Sequence, residues 1–65
     1  MQIFVNRIPL DIDVDSTLAD ALTLANASPP FAAAVNLQFV PKTQYLTTSL
    51  QAGDEIEIIA PITGG

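Results

Sequence analysis

Apolar and polar residues alternate most regularly near the start of the chain. From Ile8 to Asp15, four aliphatic residues occupy the even positions, and Pro9 and three aspartates occupy the odd ones. A period of two predicts a strand with the aliphatic side chains on one face and the carboxylates on the other. Met1 to Asn6 is rich in β-branched and aromatic residues and predicts a preceding strand. The two strands are expected to form a hairpin, with Pro9 on an outer edge.

The pattern changes to a helical period after Ser16. Four apolar residues then follow the spacing i, i+3, i+4 and i+7, namely Leu18, Ala21, Leu22 and Ala25. This spacing predicts one buried stripe of an amphipathic helix. Thr17 and Asp20 resemble a capping box at its start. Pro29 and Pro30 cannot continue a helix, so the helix is expected to stop between Asn26 and Pro30.

The second half of the chain predicts three more strands. Phe31 to Val35 is an apolar run that predicts a buried strand, and Asn36-Leu37 predicts a turn into the strand Gln38–Val40. Residues 41–50 are polar and irregular, with room for one helical turn. Gly53-Asp54 predicts a turn before a last strand that starts at Glu55, and Pro61 ends this strand.

The predicted order is therefore β-β-α-β-β-β, in which one helix covers one face of a mixed sheet. This is an α+β fold. Residues 1–60 are expected to form a single domain, and residues 61–65 a flexible C-terminal Gly-Gly tail.

Composition excludes several kinds of function. The 65-residue chain has no cysteine and no histidine, which removes disulfides, the usual zinc ligands and the commonest catalytic pairs. Its net charge of −5 argues against nucleic acid and anionic membranes as partners and favours basic protein surfaces. No apolar run is long enough to span a bilayer, and the start lacks a signal-peptide pattern, so the expected location is cytoplasmic.

The acidic and hydroxyl residues predict no catalytic or metal site. Asp11, Asp13 and Asp15 lack the spacing and turn glycine of a calcium loop, so a solvated face is expected. The serines and threonines have no histidine to activate them. Tyr45 is interpreted as a half-buried packing residue.

The terminal pair Gly64-Gly65 is the strongest functional feature of the sequence. It presents a carboxylate with no Cβ beside it, which suits passage along a narrow channel. The residues after Pro61 span at most about 14 Å when extended, enough to enter a partner's active site. A frayed or truncated end is the alternative interpretation.

Two apolar residues predict a docking patch. Alternation places Phe4 on the face opposite Ile3 and Val5, and Ile59 is out of phase with Ile56 and Ile58. Phe4 and Ile59 are therefore expected to face outward. An outward apolar residue is also ordinary on protein surfaces.

The element order, the length and the terminal Gly-Gly together resemble the ubiquitin-like β-grasp sulfur carriers, and most closely the thiamine-biosynthesis carriers of the ThiS family. The similarity covers nearly the whole chain. It is most specific in the motifs Val35-Asn36, Phe39-Val40-Pro41-Lys42, Gly53 to Ile58 and Pro61 to Gly65, and Thr17 to Leu22 resembles the family's helix start. Leu37 departs from the pattern, because the family often has glycine or a polar turn residue there.

The resemblance implies a carrier rather than an enzyme, with no cofactor of its own. An E1-like adenylyltransferase (ThiF) would use ATP to activate the carboxylate of Gly65 as an acyl-adenylate. Sulfur from a cysteine desulfurase persulfide would then form a thiocarboxylate. Thiazole synthase (ThiG) would receive the tail, Ile62, Thr63, Gly64 and Gly65, and take the sulfur into the thiazole ring of thiamine.

Three alternatives stay open at the level of sequence. The small subunit of molybdopterin synthase shares the fold and the Gly-Gly end, but it is usually longer and has a Phe-containing segment where this chain has Ile58-Ile59-Ala60-Pro61. A β-grasp interaction module with incidental terminal glycines is the second alternative. The third is an enzyme, which the missing catalytic groups disfavour.

Overall fold

Five strands and one α-helix form the part of the chain that the computed structural model describes, residues 1–60. In chain order the elements are β1 (Gln2–Val5), β2 (Ile8–Asp11), α1 (Leu18–Leu24), β3 (Ala32–Val35), β4 (Gln38–Val40), a 3-10 turn (Lys42–Gln44) and β5 (Glu55–Ile59). The predicted order of elements is confirmed, including the single helical turn in the polar segment. Among residues 1–60, no helix is long and apolar enough to cross a membrane.

The five strands make one mixed sheet in the order β2-β1-β5-β3-β4. The last strand, β5, lies in the middle, parallel to β1 and antiparallel to β3. The hairpin β1–β2 flanks it on one side and the hairpin β3–β4 on the other. Pro9 lies in the edge strand β2, as predicted, where its missing N–H interrupts no interior ladder.

The start of α1 has the predicted capping box. The backbone N–H of Asp20 donates to the Thr17 hydroxyl, and the backbone N–H of Thr17 donates to the Asp20 carboxylate at 2.9 Å. The backbone N–H of Leu18 donates to the carbonyl of Thr48 at 2.8 Å. The long segment after β4 therefore satisfies a donor that the helix itself leaves unpaired.

The end of α1 has a different cause from the predicted one. Asn26 has φ 57° and donates its backbone N–H to the carbonyl of Thr23, while Ala27 donates to that of Leu22. This pair of bonds is a Schellman motif, with Asn26 in the left-handed conformation. The helix thus ends before Pro29 and Pro30 rather than because of them.

The core lies between α1 and one face of the sheet. Ile3 from β1, Leu18 from α1 and Ile56 from β5 are the largest fully buried side chains. The predicted helical stripe is confirmed, with Leu18, Ala21 and Leu22 buried and Ala25 packed at the margin. Apolar burial of this kind has to stabilise the fold, because the chain has no disulfide.

The predicted long second strand is wrong beyond Asp11. Pairing with β1 ends where the backbone N–H of Ile12 donates to the carbonyl of Met1 at 2.8 Å. The chain then turns, with the Ser16 hydroxyl donating to the carbonyl of Asp13 at 2.6 Å. Ile12 is buried, but Ile8 is 66% exposed on the edge strand and Val14 is 70% exposed in the turn. The four aliphatic residues therefore do not form one buried face.

The prediction of a fully buried third strand is also wrong. β3 is an interior strand, but only Ala33 is buried, because Ala32 and Ala34 face the side of the sheet opposite α1. Phe31 precedes the strand and stacks on Tyr45 with ring centroids 6.0 Å apart. Tyr45 is a half-buried packing residue, as predicted.

Candidate functional site

The side of the sheet opposite α1 is the candidate functional surface, and we call it the outer face. Strand alternation and register assign ten residues to it: Gln2, Phe4, Pro9, Asp11, Ala32, Ala34, Phe39, Glu55, Glu57 and Ile59. Their neighbours along the strands, such as Ile3, Ile56 and Ala33, are buried against the helix. Because β5 lies in the middle of the sheet, its outward residues lie at the centre of this face.

The structure places Phe4 and Ile59 on the outer face but not side by side. Phe4 is half-buried, with Pro9 and Glu55 as its cross-strand partners. Ile59 is 54% exposed and lies opposite Ala32. Along β5, Ile59 lies four residues beyond Glu55, which corresponds to about 13 Å. The two residues can therefore belong to one docking surface, but they do not form a single apolar contact.

Phe39 is an outer-face residue that sequence reasoning missed. It lies opposite Ala34, is 69% exposed, and is the outward residue of β4. The two alanines of β3 separate it from Ile59, so this side of the outer face is apolar. Strand alternation could have identified Phe39, because it places Phe39 and Val40 on opposite faces of the sheet. Val40 is a core residue, so Phe39 faces outward.

Two asparagines bind β5 from both sides. The Oδ1 atom of Asn6 accepts the backbone N–H of Ile58 at 2.8 Å, and the Oδ1 atom of Asn36 accepts that of Glu55 at 3.0 Å. Asn6 and Asn36 are the first central residues of the two hairpin turns, each with φ 50°. Their side chains continue the strand ladder at positions where the neighbouring strand has already turned away. They fix β5 at both of its ends.

Asp54 stabilises the start of β5 through hydrogen bonds. Its carboxylate accepts the side-chain N–H of Asn36 at 3.1 Å and the backbone N–H of Gln51 at 2.8 Å. Its carbonyl accepts the backbone N–H of Phe4 at 3.0 Å. The predicted turn at Gly53-Asp54 thereby holds the beginning of β5 against both hairpins.

Acidic side chains dominate the charge on the outer face. Glu55 and Glu57 are exposed at its centre, and Asp11 is exposed at its β2 edge. The chain has only one arginine and one lysine, Arg7 and Lys42. A protein that binds this face must therefore complement two central carboxylates beside an apolar area.

The aspartates after Leu10 do not form a continuous row. Asp11 closes β2, whereas Asp13 and Asp15 lie in the following turn, where Asp15 has φ 72°. All three are exposed. Within residues 1–60, no cluster of three acidic side chains has the geometry to hold a metal ion.

The predicted modification site and tail lie outside the described residues. Ile62, Thr63, Gly64 and Gly65 follow the last described residue, Ala60. Ala60 itself follows Ile59 directly, so the described part of the chain ends next to the apolar side of the outer face.

Comparison with protein families decides what kind of chain this is. The model of the ThiS family matches residues 3–65, which is nearly the whole sequence. The chain belongs to the ThiS family.

Solved structures similar to this ThiS-family chain have the same fold. The crystal structure of the thiamine biosynthesis protein ThiS from Geobacter metallireducens superposes with a TM-score of 0.82 at 19% identity, covering all of both chains. The NMR solution structure of a thiamine biosynthesis protein from the same organism superposes with a TM-score of 0.78 at 19% identity, covering 100% of this chain and 88% of that one. No curated protein matches the chain in a sequence comparison.

ThiS-family membership confirms the predicted class of fold and protein. The α+β arrangement is the ubiquitin-like β-grasp. The chain is a small ThiS-type sulfur carrier.

Proposed function

We propose that the chain carries sulfur as a thiocarboxylate on Gly65 and donates it to a ThiG-type thiazole synthase. A ThiF-type adenylyltransferase first joins the Gly65 carboxylate to AMP from ATP and releases pyrophosphate. The persulfide sulfur of a cysteine desulfurase relay then attacks the acyl carbon, and AMP leaves. A thiol reductant cleaves the resulting acyl disulfide and leaves the thiocarboxylate on the carrier.

The chemistry requires very little of the carrier's own side chains. A carboxylate is a poor electrophile, so the phosphate leaving group of AMP is needed before sulfur can attack. The thiocarboxylate is then a soft nucleophile at neutral pH without help from a neighbouring residue. The absence of cysteine and histidine from the sequence is compatible with this division of labour.

The observation that carries the proposal is the extent of the family match. It runs to residue 65 and therefore includes the terminal Gly64-Gly65. Terminal glycines allow a partner's backbone to approach the carboxylate closely, which a narrow adenylation site needs.

Intact-mass measurement tests the proposal. The chain is incubated with ATP, the adenylyltransferase and a bisulfide source, which displaces AMP directly and needs no reductant. We expect a gain of about 16 Da, because one oxygen is replaced by sulfur. A variant without Gly65 should not gain this mass, and an incubation without ATP is the second control. No gain in the complete mixture would refute the proposed function.

We further propose that the outer face is the docking surface and that Phe4 and Ile59 belong to it. A standard interface takes roughly 800 Å² from each partner, whereas the chain exposes 4618 Å². Such a footprint is wide enough to include both residues. Two enzymes that both receive Gly65 would then use overlapping parts of the outer face and exclude each other.

Alanine substitutions test the docking surface. Ile59→Ala should weaken binding to the adenylyltransferase by about tenfold, because it removes an exposed apolar contact beside the end of β5. Phe4→Ala should also weaken binding while leaving the fold intact. Leu46→Ala is the matched control, since Leu46 is 78% exposed but lies outside the sheet. Equal affinities for all three variants and the unmodified chain would exclude this surface.

A further inference from the structure

Leu37 is the most exposed large apolar residue in the described part of the chain, at 86%. It is the second central residue of the turn between β3 and β4, and its φ is 69°. This left-handed conformation favours glycine, and a leucine there is strained. Both its exposure and its backbone conformation therefore disfavour leucine at this position for folding alone.

Leu37 lies beside an acidic cleft on the outer face. The cleft has a volume of about 190 Å³ and crosses β5 between the two hairpin turns; it is lined by Arg7, Asn36, Leu37, Glu55, Ile56 and Glu57. Ile56 is buried, so its side chain offers almost no surface to the cleft. The accessible side chains are thus two carboxylates, one guanidinium, one amide and the aliphatic Leu37.

The cleft has a rigid frame. Asn36 accepts the backbone N–H of Glu55 at 3.0 Å and donates to Asp54 at 3.1 Å, so the turn that carries Leu37 is bonded to the strand that carries the carboxylates. The backbone N–H of Asn36 also donates to the carbonyl of Glu55 at 2.7 Å. The backbones at Leu37 and Glu55 therefore keep a fixed relative position, and little backbone freedom has to be lost when a partner binds both residues.

We propose that Leu37 is a docking anchor for a protein surface that presents an apolar socket next to a lysine or arginine. Leu37 enters the socket, and the basic side chain lies in the cleft with its charged end between Glu55 and Glu57. The two carboxylates against one arginine give the cleft a net negative charge, which complements a cation. The inference rests on the proposed function, because it assigns this contact to the activating adenylyltransferase.

The position of Leu37 is compatible with the docking surface proposed above. Glu55, the first residue of β5, and Ile59, its last residue, are separated by about 13 Å along the strand. One standard footprint, roughly 30 Å across, covers both. Leu37 would thus add a contact at the end of the outer face opposite to Ile59.

Glycine substitution separates anchoring from folding. Leu37→Gly should raise the midpoint of thermal unfolding, because glycine relieves the strain of positive φ. The same substitution should raise the Kd for the ThiF-type adenylyltransferase by about tenfold, because the apolar side chain is lost. Leu37→Met keeps an apolar side chain and should retain the affinity. Asn26→Gly is the control, because Asn26 also has a positive φ of 57°, carries no charge and does not line the cleft.

Asn26→Gly should leave the stability of the chain unchanged or slightly raised, without weakening the complex. An unchanged Kd for Leu37→Gly, when the unmodified chain binds and acquires sulfur, would overturn the role of Leu37 and leave the proposed function intact. An equal loss of affinity in Asn26→Gly would also overturn it, because the change to glycine at a positive φ, rather than the loss of the leucine, would then be responsible. Failure of the unmodified chain to bind and to gain sulfur would refute the proposed function itself.

Discussion

In both hairpin turns, an asparagine adopts a positive φ and also forms a side-chain hydrogen bond to β5. In residues 1–60, six residues other than glycine have positive φ, and three of them are asparagines. Asn6 and Asn36 also use their side chains to bind the backbone of β5. Asn26 instead provides the left-handed residue that ends α1. The same residue type therefore does two different things, and substitution should separate them.

Asn36→Gly should lower the free energy of unfolding by about 1 kcal/mol. Glycine retains the turn conformation, but the hydrogen bonds to Glu55 and Asp54 are lost. Urea unfolding measures the difference. Asn26→Gly is the control and should leave stability unchanged or slightly raised, because glycine is the preferred residue at that position of a Schellman motif. Equal effects of the two substitutions would contradict the bridging role of Asn36.

At the scale of elements, α1 depends on its capping residues more than a long helix would. It has seven residues, fewer than a helix needs to be stable alone in water. The capping box at Thr17 and the bond from Leu18 to Thr48 satisfy its first donors. The buried stripe then packs in one core with buried residues of the sheet.

Thr17→Ala should therefore cost about 1 kcal/mol of stability, since it removes the acceptor for the backbone N–H of Asp20. Thermal and urea unfolding both report this loss. Thr23→Ala is a suitable control, because its hydroxyl donates only to the carbonyl of Ala19 on the exposed side of α1. If the two variants were equally stable, the capping box would contribute nothing measurable.

Hydrophobic periodicity predicted the elements because each element buries one regular face. The prediction from periodicity failed where the pairing between two strands ends. The alternation continues to Val14, but pairing with β1 ends at Met1, and no local pattern encodes that limit. Similarly, the apolar run at β3 indicates a strand but not that one face stays uncovered.

The candidate surface was predictable only in part for the same reason. Phe4 and Ile59 are out of phase with the inward-facing residues of β1 and β5, so alternation alone predicts that they face outward. Their separation depends on the register between β1 and β5, which the sequence does not specify. The anchor Leu37 was recognisable only as an unusual turn residue, because its relation to Glu55 arises from the fold.

At the scale of the whole molecule, charge is expected to affect the rate at which the carrier associates with its partners. The net charge of −5 and the central carboxylates of the outer face favour basic partner surfaces. Attraction of this kind acts mainly on the rate of association and is screened by salt.

Association with the adenylyltransferase should therefore slow by about tenfold between about 20 and about 500 mM salt, with little change in dissociation. Stopped-flow or surface-based kinetics measure both rates. Glu57→Gln should reduce this salt dependence. Asp13→Asn removes one charge away from the outer face and should reduce it less. Identical salt dependence of the two variants would mean that net charge alone, not the outer face, steers association.

Transfer of labelled sulfur tests most directly whether this chain carries sulfur to a thiazole acceptor. The chain is charged with a heavy sulfur isotope and mixed with the thiazole synthase and its other substrates. Mass spectrometry then follows both the carrier and the thiazole product. We predict that the label enters the thiazole while the carrier returns to the mass of its carboxylate form. Label that stays on the carrier while unlabelled thiazole accumulates would contradict this role of the chain.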